Sequence, residues 1–238
     1  MIRQYPYRCE ALSLDGFIAQ VVRYVASGHY FYVTGTIPER KDPSAVDAKL
    51  VNLYDIAKPK WARARRRLAG RSGMHYLRLG RFFVLLATHG EHAFFADHQR
   101  NIQDVRRVAL HVGGYAIRYT YSLTEKRWKV FVRLDRETYR NVKAQMLELA
   151  RQRRCRPAEV LEREFANLPW QPYEPVRKQL LAILQAVNRR RGQAGLERIN
   201  QRCVPKMRRI GAVFAEGREL MDGYDGRQDV VLMGGESR

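Results

Sequence analysis

The sequence predicts an α+β fold, because hydrophobic patterns typical of helices and of strands are mixed along the chain. Over residues 15–27 the apolar side chains recur at helical spacing, whereas over 29–37 they alternate with polar ones. Two pairs of strand-like runs each meet at a turn, one at Leu79-Gly80 and the other at Thr124 to Lys126. Amphipathic helical patterns follow the second pair, so we expect antiparallel hairpins and helices in one fold.

Two short helices are predicted between the first strand and the first hairpin. Asp42-Pro43 begins a helix that stops near Asp55, and a second helix runs from Pro59 to Gly70. The second helix has one apolar face, which we expect to point into the core. That face consists of Trp61, Ala64 and Leu68.

The rest of the chain is predicted as a second hairpin, three helices and a tail. Asp135 caps the helix that follows the hairpin, Pro157 opens the next helix, and residues 176–191 form a third with a clean apolar stripe. Residues 169–175 read as an extended connector. We expect a winged-helix-like basic domain over 1–98, a β-hairpin plus helix unit over 99–155, C-terminal helices over 156–191, and a mostly flexible basic tail over 192–238, with a short ordered piece near 230–233.

The charge of the chain points to a polyanionic partner. The formal net charge is +20 with a sequence pI near 10.4, and no Asp or Glu occurs between Ile56 and Gly90. The second short helix holds four arginines in five positions with no acid nearby to compensate them. Nucleic acid is the first candidate, since duplex DNA carries roughly one negative charge per 1.7 Å of axis. No apolar run approaches the roughly 18 residues of a membrane span, so no membrane partner is expected.

The order helix, strand, helix, helix, hairpin over residues 15–88 resembles a winged helix-turn-helix domain. The resemblance implies that the helix over 60–68 enters the major groove, while the hairpin at Arg78 and Arg81 touches the backbone or the minor groove. The first strand is long for that fold, and it could instead belong to a larger α+β sheet.

The second hairpin should add a basic sheet face to the same footprint, because its basic residues alternate with apolar ones. The complete set of predicted nucleic-acid contacts is Lys58, Lys60, Arg63, Arg65, Arg66, Arg67, Arg71, Arg78, Arg81, Arg118, Arg127, Lys129 and Arg133. We therefore predict a protein that binds nucleic acid, duplex DNA first, in replication initiation or regulation of a plasmid or mobile element; this setting rests on analogy of fold alone.

A metal-dependent nuclease or strand-transfer enzyme is the second hypothesis. His89, Glu91, His92 and Asp97 lie close together after a predicted strand and could hold Mg²⁺ or Mn²⁺. The spacing H-G-E-H differs from the two histidines around one apolar residue that rolling-circle initiators use, so a solvated polar loop is favoured. The metal ligands stay unknown, no phosphate-binding loop occurs, and no other cofactor is expected. The remaining histidines, His29, His75 and His111, are expected at interfaces or on the surface.

An RNA-binding subunit of a ribonucleoprotein is the third hypothesis. It rests on aromatic residues near arginines that could stack on unpaired bases: Tyr30, Tyr32, Trp170 and Tyr173. The helix over 176–191 most simply packs on its own domain, with a protein partner or self-association as the alternative. Three widely spaced cysteines, Cys9, Cys155 and Cys203, favour a reducing, cytoplasmic setting.

Overall fold

A computed structural model describes residues 7–152, 157–168, 170–204 and 209–215. Helices and two antiparallel sheets form in these ranges, which confirms the α+β class. The helices are α1 (Leu14–Ala26), α2 (Pro43–Leu53), α3 (Lys60–Leu68), α4 (Ala93–Asp97), α5 (Arg136–Leu149), α6 (Ala158–Ala166) and α7 (Glu174–Gln193). The strands are β1 (Phe31–Thr36), β2 (Met74–Leu79), β3 (Phe82–Ala87), β4 (Gln103–Asp104), β5 (Leu110–Val112), β6 (Tyr115–Ser122) and β7 (Arg127–Leu134).

The first sheet has the strand order β2-β3-β1-β4, and all its pairs are antiparallel. Gly80, with a φ of +58°, makes the tight turn of the predicted hairpin between β2 and β3. Strand β1 lies between β3 and β4, so it belongs to a sheet larger than one hairpin. The second sheet has the order β5-β6-β7, with Tyr115 opposite Leu134 and Ser122 opposite Arg127.

The two faces of the first sheet enter different hydrophobic clusters. On β3, Val84 and Leu86 belong to the larger cluster together with α1, whereas Leu85 belongs to a smaller cluster that includes Tyr54 and Phe94. Because neighbouring strand residues point to opposite faces, α1 and the end of α2 lie on opposite sides of this sheet. The element order that prompted the winged-helix resemblance is present, but these helices do not pack together on one face.

The larger cluster extends from Ala11 to Val204 and draws on α1, both sheets, α5, α6 and α7. Helix α1 contacts strands of both sheets, so it joins them through buried side chains such as Phe17 and Ile18. The larger cluster has members on both sides of the boundaries predicted at residues 98, 155 and 191, and the division into domains stays a prediction. Among the described residues, no helix is both long and apolar enough to cross a membrane.

The C-terminal part is more ordered than the sequence suggested. The apolar stripe of α7 is buried in the protein's own core: Val176, Leu180, Ile183, Leu184 and Val187. The simpler expectation, that this helix packs on its own domain, is therefore confirmed for its apolar stripe, and a protein partner or self-association through the rest of α7 stays a prediction. Pro175 stands in the first turn, which lets α7 begin inside the predicted connector. Buried Ile199 and Val204 also contradict the flexible tail over 192–204, while Cys155 and the piece near 230–233 lie outside the described residues.

Candidate nucleic-acid interface

Helix α3 carries the densest group of predicted contacts, and it lies on the outside of the protein. Two buried side chains, Tyr54 and Ile56, anchor the chain before the helix, and Ser72 anchors it afterwards. Pro59 precedes the first turn, and Gly70, with a φ of +71°, lets the chain bend after the last one. Between these points α3 contains no buried residue. The helix is thus held at its ends and exposes its length to solvent.

The predicted core-facing side of α3 is wrong. Leu68 is 89% exposed, Trp61 is 56% exposed, and Ala64 is exposed as well. The apolar cluster below is filled by the anchoring residues before the helix rather than by the helix itself. An apolar face on a short helix therefore did not identify its buried side.

The opposite side of α3 lies near two histidines inside the protein. Burial is the main reason that the pKa of His29 falls to about 4, and Arg67 and Arg63 lower it further. His75, whose ring centroid is 4.7 Å from that of His29, has a lowered pKa for the same reasons, with burial the largest. The expectation that His29 lies at an interface or on the surface is wrong, because the residue is buried, whereas His75 is half-buried and His111 is exposed as predicted.

One acid compensates part of the basic charge. Asp55 Oδ2 lies 2.8 Å from Lys58 Nζ and 3.1 Å from a terminal nitrogen of Arg66. Asp55 stands just before the acid-free stretch, so the expectation of an uncompensated helix is wrong for Arg66. The other basic residues of this region have no carboxylate partner among the described residues. This unpaired group consists of Lys60, Arg63, Arg65, Arg67 and Arg71.

An aromatic ring holds one of these cations in place. The guanidinium of Arg65 lies over the Trp61 ring, 4.4 Å from its centroid. The two residues are four apart on one helix face, a spacing that the sequence offered as a signal for this contact. The pair displays a planar cation and a large exposed ring together at the surface.

A groove runs along this side of α3. It encloses about 260 Å³ and its walls carry four cationic side chains, those of Lys58, Arg65, Arg66 and Arg71. Ala62 and Ala69 also line it, and their small side chains leave room between the guanidiniums. Guanidinium groups bind phosphate oxygens in pairs of parallel hydrogen bonds, so this groove is chemically suited to a phosphate group.

Arg78 and Arg81, the predicted contacts on the β2–β3 hairpin, have structural bonds instead. Arg78 is 4% exposed and binds both carboxylate oxygens of Asp47 at 2.9 Å, with Glu10 at 3.1 Å as a second ion pair. Arg81 donates to backbone carbonyls of the loop over 37–41. The prediction that Arg78 grips a phosphate is wrong, because its guanidinium is buried and its charge already neutralised.

The second sheet has the predicted basic face. The register of β6 and β7 places its four members on one side: Arg118, Arg127, Lys129 and Arg133. Glu125 in the turn forms ion pairs with both Arg127 and Lys129, so one acid compensates part of the charge of this face. Arg133 is exposed and has no carboxylate partner among the described residues. This face is consequently a weaker anion site than α3.

The predicted metal cluster does not come together. His92 Nδ1 accepts a hydrogen bond from the backbone N–H of Phe94 and so caps α4. Glu91 is exposed, and its backbone pairs with the segment after α3. In the described ranges no three His, Cys, Asp or Glu side chains, the set of His89, Glu91, His92 and Asp97 included, are grouped so that they could hold a metal ion. The described residues therefore offer no group of metal ligands to support the nuclease hypothesis.

The aromatic residues of the RNA-binding hypothesis lie in different settings. Tyr32 is buried and donates a 2.6 Å hydrogen bond to Gln103, so it is not available to stack on a base. Trp170 and Tyr173 are half-buried and pack against the larger core cluster. Tyr30 is half-buried and stacks on Tyr119.

Comparison with known proteins found no match: no protein-family model, no curated protein and no solved structure matches the chain.

Proposed function

We propose that the protein binds nucleic acid, duplex DNA first, through α3 and the segment that follows it. The observation that carries the proposal is a surface helix without a buried side chain, on which basic residues stay without carboxylate partners. Like charges such as Arg63 and Arg67, four residues apart, repel each other on a bare helix. A polyanion relieves that repulsion, and release of its counterions drives association.

Phosphate contact is the main mode of this proposal. Most hydrogen bonds between proteins and DNA go to phosphate and sugar, and the groove lined by Arg65 and Arg71 suits a phosphate group. Lys60 and Arg67 are exposed beside it and extend the contact along α3. Arg can also read guanine through O6 and N7, so one or two of these side chains could select a base.

Replacement of the unpaired cations tests the proposal. A variant with Lys60, Arg65, Arg67 and Arg71 changed to Ala is compared with wild type by fluorescence anisotropy on duplex DNA at several salt concentrations. We expect affinity to fall about 100-fold or more, and the slope of log affinity against log salt to lose about one unit per phosphate contact removed. The same titration with single-stranded DNA and hairpin RNA ranks the polymers, and duplex DNA should rank first.

A charge-matched control separates a site from general attraction. Changing Arg40, Lys49, Arg136 and Arg140 to Ala also removes four exposed positive charges, none of them within an ion pair of the described residues. We expect this variant to lose only a few-fold in affinity, because long-range attraction is screened by salt. Equal losses in the two variants would contradict α3 as the interface.

The setting in replication or regulation of a plasmid or mobile element remains a prediction. A reducing, cytoplasmic compartment is part of the proposal, and the free thiols of Cys9 and Cys203 support it.

A further inference from the structure

The β6–β7 hairpin extends beyond the hydrophobic core. Near its base, the inward face is buried at Tyr115, Ile117, Val132 and Leu134. Farther along the same face, Trp128 is 53% exposed and Tyr121 is 43% exposed, and Leu123 at the turn is 86% exposed. One face of this sheet is therefore buried in the core at the base of the hairpin and exposes aromatic side chains to solvent near the turn.

These exposed rings continue a row that starts at half-buried ones, called here the aromatic row: Tyr30, Tyr119, Trp128 and Tyr121. The ring centroids of Tyr30 and Tyr119 are 4.8 Å apart, and those of Tyr119 and Trp128 are 5.6 Å apart, both in stacked orientation. Tyr121 meets the Trp128 ring edge-on at 6.0 Å. Stacking covers the ring faces of Tyr30 and Tyr119 and fixes the exposed ring of Trp128 beside Tyr121, so a planar ligand would meet a preformed surface at that end of the row.

Positive charge lies at one end of the aromatic row. There the guanidinium of Arg106 lies 4.7 Å from the centroid of Tyr30, and Asp104 holds it through two hydrogen bonds. Arg127 precedes Trp128 on β7, but it points to the opposite face of the sheet and forms an ion pair with Glu125. Exposed aromatic rings on a chain with a net charge of +20 match a polymer of flat bases linked by phosphates.

We propose that the exposed end of the aromatic row, Trp128 and Tyr121, stacks on the unpaired bases of a single-stranded DNA segment. The choice of DNA rests on the proposed function, since α3 would hold the duplex from which such a segment extends. Both sites lie near the start of β1. Arg63 and Arg67 of α3 are close enough to His29 to lower its pKa, and the aromatic row begins at the next residue, Tyr30.

The test uses the full chain and a fluorescent 15-nucleotide oligo(dT) as the probe. Trp128→Ala should weaken its binding roughly 5- to 150-fold, the range for loss of one base–aromatic stack. Because no charge is removed, the dependence of affinity on salt should keep its slope. Trp128→Phe keeps a ring and should retain most of the affinity, which shows that stacking and not general folding is lost. Unchanged affinity of Trp128→Ala would overturn the proposal.

A direct readout comes from the tryptophan itself. The chain has three tryptophans, so changing Trp61 and Trp170 to Phe leaves Trp128 as the single tryptophan, which is excited selectively at wavelengths that tyrosine does not absorb. Saturation with oligo(dT) should quench its fluorescence, and no change in emission would count against the proposal. Oligo(U) serves as the comparison: tighter binding of oligo(U) that is lost in Trp128→Ala would overturn DNA as the occupant.

The two sites fail in distinguishable ways. The α3 variant with four cations removed should lose duplex DNA and its salt slope, whereas Trp128→Ala should leave duplex binding unchanged. If the α3 variant keeps duplex affinity while Trp128→Ala loses oligo(dT), the proposed function fails and the aromatic row stands. If Trp128→Ala loses both ligands equally, the aromatic row is not a separate site.

Discussion

On α3, five basic side chains of the helix and its exit segment have no carboxylate partner among the described residues, whereas the two arginines of the β2–β3 hairpin are engaged in bonds within the protein. Both regions belong to the same acid-free stretch of sequence. The difference arises from residues far along the chain: Asp47 and Glu10 reach Arg78, and the loop over 37–41 reaches Arg81. A run of positive charge therefore indicates a partner only where the folded chain does not bring its own counter-charge.

The largest expected effect is the loss of folding stability when the buried Arg78 of the β2–β3 hairpin is replaced. Arg78→Ala leaves Asp47 unpaired, with only 13% of its side chain exposed, so we expect the free energy of unfolding to fall by roughly 3–5 kcal/mol. Urea denaturation monitored by circular dichroism measures the loss. Arg65→Ala on α3 is the matched control and should change stability by less than about 0.5 kcal/mol, because it touches no buried group. Similar losses in both variants would remove the distinction between the two regions.

The histidines below α3 predict a dependence of stability on pH. The pKa of His29 is about 4 in the folded protein against about 6.5 unfolded, so the unfolded chain binds more protons between these values. The stability contributed by neutral His29 is complete above pH 6.5 and is lost as the pH falls towards 4. The total is on the order of 3 kcal/mol, of which about 2 kcal/mol lies between pH 7 and pH 5.

His29→Gln, which cannot be protonated, should flatten the stability curve between pH 7 and pH 5 by that amount. His111→Gln is the control, since His111 has 60% of its side chain exposed, and its curve should follow wild type. A curve for His29→Gln that stays as steep as wild type would show that protonation of this ring does not destabilise the fold. The comparison is made by urea denaturation at each pH.

The smallest expected effect is a gain in duplex affinity when Asp55, the acid beside α3, loses its charge. Asp55→Asn frees Lys58 and Arg66, so duplex affinity should rise a few-fold and the salt slope should steepen by up to about two units. Glu125→Gln is the matched control, because it also frees two cations, Arg127 and Lys129, but on the second sheet. Affinities are measured by anisotropy titrations on duplex DNA. An equal gain in affinity in both variants would show that binding depends on the total charge of the protein rather than on a contact at α3.

The elements that the sequence predicted well depend on neighbouring residues alone. Asp42 and Asp135 cap α2 and α5 as expected, through hydrogen bonds to backbone N–H groups three residues later. Gly80 makes the predicted turn, and the alternation along β6 and β7 predicted their basic face. In each case the signal and its structural consequence lie within one hairpin or one helix turn.

The errors concern relations between distant parts of the chain. Nothing near Arg78 in sequence announces that Asp47 will neutralise it, and nothing in α3 shows that Tyr54 and Ile56 will fill the apolar cluster instead of Trp61. The short strands β4 and β5 carry too few residues for a periodic pattern, so they were not predicted. The aromatic row was not predicted for a related reason. Alternation predicts which residues share a sheet face, but it does not predict where along that face the hydrophobic core ends.

A last consequence follows from the absence of buried side chains on α3. A nine-residue helix without a side-chain cap at its start is barely stable in water, and little of the protein's folding free energy depends on it. An anion bound to its arginines would favour the helical form, so the folding of α3 would be coupled to anion binding. The measured affinity is then a net value, from which the entropic cost of ordering α3 is already subtracted. A substitution that pre-forms the helix would tighten binding without touching a phosphate.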